Sequence, residues 1–237
     1  MIVHSKHFDY NLWRQMSKSS PKPKKRILIV DDHPMMRQGL AQLIDHEPDL
    51  VTCSEADTAG QAVQMINEQN PDLVLADISL PDKSGLELIK DLQVYHPDLP
   101  VLVVSMHDEA LYAERVLRAG GRGYIMKQEG GKLLMQAIRQ VLGGQIYVSG
   151  KMSAKILEIF SGRRAQAATS PAELLSDREF EVFQLIGQGK GTREIASHLH
   201  LSIKTIEVHR GNIKQKLSLK SGTDLVHYAI RWTESRP

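Results

Sequence analysis

The sequence predicts two units: a doubly wound α/β domain with a five-stranded parallel sheet, followed by a small all-α domain. Between residues 27 and 142, five short apolar runs alternate with stretches in helical spacing. The last sixty or so residues contain only short helical patterns. The charge also divides, because residues 27–150 hold nine Lys/Arg against eighteen Asp/Glu, whereas residues 174–237 hold ten against seven. A length of 237 residues suits two domains. The basic second unit indicates a nucleic-acid partner.

The predicted strands are short and apolar throughout. They lie at residues 27–30, 50–54, 73–76, 101–104 and 122–126. Such runs are typical of parallel strands that are covered by helices on both faces. The segments between them have helical spacing, as in Leu86, Leu88, Ile89 and Leu92. In sheets of this class the reactive groups collect at the carboxyl ends of the strands.

Polar side chains stand at four of these strand ends. Asp31 and Asp32 follow the first run, Asp77 the third, Ser105 the fourth and Lys127 the fifth. Three carboxylates at one edge repel each other, and a divalent cation relieves the repulsion. Mg²⁺, or Mn²⁺ in its place, fits one or two carboxylates with water and phosphate oxygens. An aspartate beside such a metal can accept a phosphoryl group, with a lysine paired to the phosphoryl oxygens.

The remaining segments of the first 172 residues predict a tail and a linker. Residues 1–25 are rich in proline, serine and lysine, which indicates a mobile basic tail; a basic arm that contacts DNA is the alternative. Residues 149–172 predict a linker. We find no signal-peptide pattern and no apolar run long enough to cross a bilayer, and there is one cysteine. The expected location is cytoplasmic, without a membrane partner.

The C-terminal unit, residues 173–237, predicts four short helices. Ser176 and Glu179 are spaced as a capping box at the start of the first. The segment from Gly187 to Gly191 ends that helix, and a second is predicted over 192–199. Ser202 caps a third that runs to about residue 217, and the fourth covers about 222–232. The tight connection between the second and third helices indicates a helix-turn-helix.

The third of these helices has an apolar stripe and a polar opposite face. Ile206, Ile213 and Leu217 fall on one side at 100° per residue, and Lys204, Val208, Gly211 and Gln215 fall on the other. A basic helix of this kind fits the major groove of DNA. An ordinary solvated surface helix is the alternative. The preceding helix and short turn favour DNA.

Residues 26–148 resemble a response-regulator receiver domain, which has a flavodoxin-like fold. The resemblance lies in the segments 30–34, 72–85, 103–108 and 123–127. It implies that Asp77 is the phosphoacceptor and that Ser105 and Tyr124 are a switch pair, in which the ring moves inward on phosphorylation. It also implies that Lys127 contacts the phosphoryl group. The implied metal ligands are Asp31, Asp32, Asp77 and the backbone carbonyl of Ser79.

Residues 173–237 resemble the LuxR-type helix-turn-helix, and a receiver followed by this module is the arrangement of the NarL/FixJ family. The matching segments are 175–179, 189–196, 201–210 and 212–217. The resemblance implies that Glu207, Val208 and Gly211 face DNA bases. The resemblance also implies phosphate contacts for Lys204, Thr205, His209, Arg210 and Lys216. Thr192 and Ser202 are further implied DNA-binding residues.

The two units together predict a transcription factor that a sensor histidine kinase phosphorylates. The expected partners are double-stranded promoter DNA, RNA polymerase and a second copy of the chain after phosphorylation. No enzymatic activity is expected beyond slow self-dephosphorylation. One alternative is a Mg²⁺-dependent phosphohydrolase with Asp77 as nucleophile, although the sequence suggests neither a general acid nor a substrate cavity for it. The other is a phosphorylation-independent interaction module.

Overall fold

The computed structural model describes residues 23–160 and 171–235. The first part contains one sheet of five parallel strands in the order β2-β1-β3-β4-β5, which confirms the predicted fold class. The strands are β1 (Lys25–Val30), β2 (Leu50–Ala56), β3 (Leu73–Ala76), β4 (Val101–Ser105) and β5 (Gly123–Met126). The first strand begins at Lys25, one residue before the predicted domain boundary, and residues 1–22 of the predicted tail lie outside the described residues.

Helices cover both faces of the sheet. They are α1 (Pro34–Asp45), α2 (Ala59–Gln69), α3 (Gly85–Tyr95), α4 (Glu109–Ala119) and α5 (Gly131–Leu142). Side chains alternate between the faces along each strand. Ile27 and Ile29 pack in one apolar cluster with residues of α1 and α5, whereas Leu28 and Val30 pack in the other with residues of α2, α3 and α4. Two cores on opposite faces explain why the strands are apolar throughout.

The predicted linker begins with a helix that packs on the sheet domain. After β5 and α5 the chain forms α6 (Gly150–Phe160). Met152 is buried, the Ser149 amide donates to Glu109, and the Lys155 ammonium donates to the Ala110 carbonyl. These contacts hold α6 against the start of α4. Residues 161–170, the rest of the predicted linker apart from its last two residues, lie outside the described residues.

The C-terminal helices match the predicted helix-turn-helix with small shifts at their ends. They are α7 (Pro171–Leu174), α8 (Asp177–Gly187), α9 (Thr192–His198), α10 (Ile203–Lys216) and α11 (Gly222–Glu234). The predicted capping box is present at Ser176 and Glu179. Trp232 packs edge-on against Phe180 and Phe183, joining α8 to α11. Among the described residues, no helix has the length and apolarity required to cross a membrane.

The two units contact each other through α8, which lies against α3 and α4 of the sheet domain. Asp177 binds Lys90 at 2.7 Å and the Arg115 Nε at 2.9 Å. Farther along α8, the Ser84 hydroxyl donates to Glu181 at 3.0 Å. Most of α8 is therefore buried, polar residues included.

Candidate functional site

The carboxyl ends of three strands bring Asp31, Asp77 and Lys127 into direct contact. The Lys127 Nζ lies 2.5 Å from the Asp31 Oδ2 and 2.7 Å from the Asp77 Oδ2. All three side chains are enclosed, with 4% or less of each exposed. The sheet order places β1 between β2 and β3, so Asp31 and Asp77 follow neighbouring strands. The structure thus places these three side chains together at the sheet edge where the sequence predicts a cluster.

Local backbone interactions fix the two acidic loops. The Asp31 Oδ1 accepts the His33 amide at 2.9 Å, and Pro34 then begins α1, where its missing amide costs nothing. The Asp77 Oδ1 accepts the Ile78 amide at 2.7 Å. Gly85 packs so closely behind Asp77 that a Cβ there would lie 2.0 Å from the Asp77 carbonyl oxygen. Glycine is therefore required at residue 85 to hold the loop.

The acidic cluster fits a hard divalent cation. Ligand atoms of Asp31, Asp32, His33 and Asp77 lie within 4.8 Å of one another. The Asp32 Oδ1 is buried and has no hydrogen-bond partner, although the His33 Nδ1 lies 2.6 Å from it. A buried carboxylate oxygen without a donor is costly unless a cation takes it. Oxygen donors of this kind suit Mg²⁺.

Lys127 supplies the compensating charge in this structure. Burial alone would lower the pKa of its ammonium, but the neighbouring Asp77 and Asp31 carboxylates outweigh that effect and raise the pKa of Lys127 above its ordinary value. The lysine therefore remains charged. It bridges two carboxylates that would otherwise repel each other across the pocket.

The two predicted switch residues, Ser105 and Tyr124, are both buried inside the domain. Ser105 is buried and its Oγ accepts the His107 amide at 3.4 Å. The Tyr124 ring is fully enclosed and its hydroxyl donates to the His107 carbonyl at 2.7 Å. Burial raises the pKa of that hydroxyl, so it stays a donor. The resemblance implies that the ring moves inward on phosphorylation, but in this structure the Tyr124 ring is already buried.

His107 is a residue of this site that the sequence did not reveal. Its Nε2 lies 2.9 Å from the Ser79 Oγ, and its ring packs on Tyr112 at 4.7 Å between centroids. Burial lowers the pKa of His107, which favours a neutral ring. No pattern in the sequence points to it, since a histidine two residues after a strand is ordinary for a loop. The Ser79 hydroxyl thus has a partner, and its carbonyl stays a predicted metal ligand.

The predicted DNA-reading face of α10 is exposed. Lys204, Glu207, Val208 and Gly211 are open to solvent, with Val208 55% exposed, while Ile206 and Ile213 are buried in the core. This confirms the orientation that the helical pattern predicts. His209 and Arg210 are half-buried beside the core stripe, also as predicted.

Three other predicted DNA-binding residues, Ser202, Thr205 and Lys216, already have intramolecular partners. The Ser202 hydroxyl caps α10 by accepting the Thr205 amide at 3.0 Å and lies 2.7 Å from the Thr205 hydroxyl. The Lys216 ammonium binds Glu179 at 2.6 Å. Thr192 is the first residue of α9, whose Glu194 accepts the Gly191 amide at 2.7 Å. A phosphate contact by Lys216 would therefore compete with Glu179.

The turn of the helix-turn-helix lies beside the acidic cluster. The His200 Nε2 is 3.5 Å from the Asp32 Oδ2. His200 has a left-handed backbone, with φ of 52°, which turns the chain from α9 to α10. The two candidate sites therefore meet in this structure, which the sequence did not predict.

Family models match both units of the chain. The model described as response regulator receiver domain matches residues 27–139. The model described as bacterial regulatory proteins, luxR family, matches residues 173–229. The two matches fall on the sheet domain and on the helical unit from within α7 to the middle of α11.

Known proteins are similar along most of the chain. The oxygen regulatory protein NreC of Staphylococcus carnosus (strain TM300) is 35% identical over 210 residues, covering 87% of this chain and 97% of that protein. A solved LuxR-family two-component response regulator from Aurantimonas sp. SI85-9A1 is 32% identical with a TM-score of 0.54, over 58% of this chain and 99% of that one. RcsB from Salmonella enterica serovar Typhimurium, solved bound to a promoter in the presence of the phosphomimetic BeF3⁻, is 25% identical with a TM-score of 0.58, over 87% and 98%.

Proposed function

Because this chain belongs to the NarL/FixJ family of two-component response regulators and is a DNA-binding regulator of transcription, we propose that Mg²⁺-dependent phosphorylation of Asp77 by a sensor histidine kinase controls its binding to promoter DNA. The observation that supports this most directly is the contact of Lys127 with both Asp31 and Asp77 in an enclosed acidic pocket. That pocket has a nucleophilic carboxylate, ligands for a divalent cation and a lysine for phosphoryl oxygens.

The proposed chemistry is transfer of a phosphoryl group from a kinase phosphohistidine to Asp77. An Asp77 carboxylate oxygen attacks phosphorus, the P–N bond breaks, and the departing imidazole takes a proton. Bound Mg²⁺ would supply charge neutralisation, held by Asp31, Asp32, Asp77 and the Ser79 carbonyl. Lys127 exchanges a carboxylate partner for a phosphoryl oxygen, and the Ser105 hydroxyl donates to another. Slow hydrolysis of the aspartyl phosphate returns the resting state.

The proposed output is binding of α10 in the major groove of promoter DNA. Glu207, Val208 and Gly211 face the bases, while the phosphate contacts position the helix. The proposed phosphate contacts come from Lys204, Thr205, His209, Arg210 and Lys216, and Thr192 and Ser202 are further proposed DNA contacts. Phosphorylated chains pair as homodimers on two half-sites and contact RNA polymerase. Residues 26–148 form the receiver, 149–172 the linker and 173–237 the DNA-binding domain, and the protein acts in the cytoplasm.

The acceptor assignment is tested with Asp77→Asn. We expect the wild-type chain to gain one phosphoryl group from phosphoramidate in the presence of Mg²⁺, measured by intact mass, and the variant to gain none. Asp98→Asn is the matched control, because Asp98 is an exposed aspartate away from the pocket. Phosphorylation of Asp77→Asn at the wild-type rate would overturn the assignment.

The DNA output is tested with duplexes selected from a random pool by the phosphorylated protein. We expect phosphorylation to tighten binding of these duplexes by the wild-type chain, measured by fluorescence anisotropy at fixed salt. Asp77→Asn should bind them equally with and without phosphoramidate. An identical affinity of the phosphorylated and unphosphorylated wild-type chains would contradict the proposed control.

A further inference from the structure

Tyr112 of α4 is one of several receiver residues that contact helix α8, beside Lys90, Arg115 and Ser84. Its hydroxyl donates to the Gln184 Oε1 at 2.6 Å, a contact across 72 positions of sequence. Its ring lies 5.5 Å from the Phe180 ring, centroid to centroid. The tyrosine is fully enclosed, so both contacts are made away from water. Breaking the hydrogen bond would leave the Gln184 oxygen without its donor in a buried place, which is costly.

Tyr112 is connected to the phosphorylation pocket through His107. The two rings are 4.7 Å apart and tilted by 33°. Each polar group of His107 that has an identified partner binds a residue of that pocket. The ring Nε2 is 2.9 Å from the Ser79 Oγ, the amide donates to the Ser105 Oγ, and the carbonyl accepts the Tyr124 hydroxyl. Ser79 lies two residues after Asp77, and Ser105 and Tyr124 are the switch pair.

We propose that His107 and Tyr112 form a relay through which phosphorylation of Asp77 releases α8 from the receiver. This inference rests on the proposed phosphorylation of Asp77 and names its route to the DNA-binding domain. A Ser105 hydroxyl that turns to a phosphoryl oxygen gives up the His107 amide, and a displaced acceptor loop shifts the Ser79 contact with the ring. Because the His107 ring packs on Tyr112, its displacement takes the Tyr112 hydroxyl out of line with Gln184.

The relay works in both directions. A docked α8 holds Tyr112, and with it His107, in the arrangement that leaves Ser105 paired to the His107 amide. Thermodynamic linkage then requires that docking weaken the binding of a phosphoryl mimic by the same factor by which the mimic weakens docking. The hydrogen bond of Tyr112 to a buried acceptor sets the scale of this factor at roughly fivefold to tenfold.

The experiment compares Tyr112→Phe with the wild-type full-length chain. Phenylalanine keeps the ring and removes only the hydroxyl that binds Gln184. The first readout is hydrogen exchange of the amides of residues 180–186. The second is the affinity for beryllofluoride with Mg²⁺, followed by fluorine NMR. We expect Tyr112→Phe to speed exchange in α8 by about fivefold without beryllofluoride and to tighten beryllofluoride binding by a similar factor. Tyr95→Phe, at an exposed tyrosine of α3, should match wild type.

A second variant approaches the relay from the other domain. Gln184→Leu removes the acceptor, and in a double-mutant cycle its effect should not add to that of Tyr112→Phe, because both remove one hydrogen bond. Exchange of the amides in β4 reports whether the receiver itself remains folded. Additive effects, or an unchanged beryllofluoride affinity in both single variants, would overturn the relay.

The outcome for the wild-type chain separates this inference from the proposed function. If wild type binds no beryllofluoride and shows no phosphorylation-dependent DNA affinity, the proposed function fails. If wild type responds to phosphorylation while Tyr112→Phe and Gln184→Leu respond identically to it, the proposed function stands and the relay is wrong.

Discussion

The ammonium of Lys127 holds the carboxylates of Asp31 and Asp77 together, at 2.5 Å and 2.7 Å, in a place closed to solvent. Removing one partner of a buried ion pair leaves uncompensated charge, which costs about 3–5 kcal/mol. We expect Lys127→Met to lower the free energy of unfolding by about that amount without Mg²⁺, and Mg²⁺ to restore part of it. Urea unfolding with and without Mg²⁺ measures both effects. Lys132→Met, at an exposed lysine, is the control. Equal stability of Lys127→Met and wild type without Mg²⁺ would contradict this prediction.

Gly85 packs against the backbone of Asp77, the proposed phosphoacceptor. An alanine Cβ at this residue would lie 2.0 Å from the Asp77 carbonyl oxygen, so the backbone of the acceptor loop must move. We expect Gly85→Ala to lower the free energy of unfolding by about 1–3 kcal/mol and to slow phosphoryl uptake. Gly39→Ala in α1 meets no atom within 4 Å and should instead stabilise the protein by up to about 1 kcal/mol. Chemical denaturation measures the stability of both variants. Equal stability of Gly85→Ala and wild type would contradict the requirement for glycine at residue 85.

We expect His200 to compete with a bound cation for Asp32. Its Nε2 lies 3.5 Å from the Asp32 Oδ2, and an exposed pair of this kind is worth little. We expect His200→Asn, which tolerates the left-handed backbone, to tighten Mg²⁺ binding by about twofold to fivefold, measured by calorimetry. Ser218→Asn tests another left-handed position, with φ of 55°, and should leave Mg²⁺ affinity unchanged. Weaker Mg²⁺ binding in His200→Asn would mean that the histidine assists the cation instead.

We expect the docking of α8 to depend on pH through Glu181. Burial raises the pKa of its carboxyl above the ordinary value, although Arg178 and Ser84 oppose the change and Asp177 adds to it. Because the docked carboxyl binds its proton more tightly, this contribution to docking is complete below the ordinary glutamate pKa and is lost as pH rises through the raised one. Carbon NMR of labelled glutamate should show one carboxyl that titrates above the rest. Glu181→Gln should remove that signal and should also remove the pH dependence of α8 docking. Beryllofluoride should return the pKa of Glu181 toward its ordinary value.

Lys204 and Lys216 should differ in their contribution to DNA binding although both are lysines of α10. Lys204 is exposed, so Lys204→Ala should weaken binding to every sequence and reduce the salt slope by about one. Lys216 is held by Glu179, so Lys216→Ala should reduce the slope less. Burial raises the pKa of Glu179, but its contacts, among them the one with Lys216, hold that pKa below its usual value. Lys216→Ala should therefore raise the pKa of Glu179. Anisotropy titrations across salt concentrations measure the slopes, and equal slopes for the two variants would contradict this distinction.

The sequence was sufficient for the features that depend on local pattern. Strand ends followed by Asp31, Asp77 and Lys127 predict their meeting at one edge, because parallel strands leave the sheet on the same side. The helical period of α10 predicts that Ile206 faces inward and Val208 outward. These features need only chain order and side-chain periodicity, which the sequence states directly.

The contact between the units could not be predicted in the same way. Residues of α8 such as Asp177, Glu181 and Gln184 are polar, and a helical pattern assigns polar residues to solvent. They are buried because partners from a distant part of the chain satisfy them, among them Lys90, Ser84 and Tyr112. Pairings of this kind depend on how two folded surfaces match. The spacing of residues within one helix carries no information about which surface of another domain that helix fits.

The face of α8 that contacts the receiver limits how chimaeric regulators can be built. This face contacts Lys90, Ser84 and Tyr112 through Asp177, Phe180, Glu181 and Gln184. The DNA-binding domain therefore keeps one half of a complementary interface when it is fused to another protein. Fused behind an unrelated receiver, it would have no complementary surface to dock on and would bind DNA irrespective of signal. A fusion that retains control must take α3 and α4 with it, so the exchangeable part is larger than the DNA-binding domain alone.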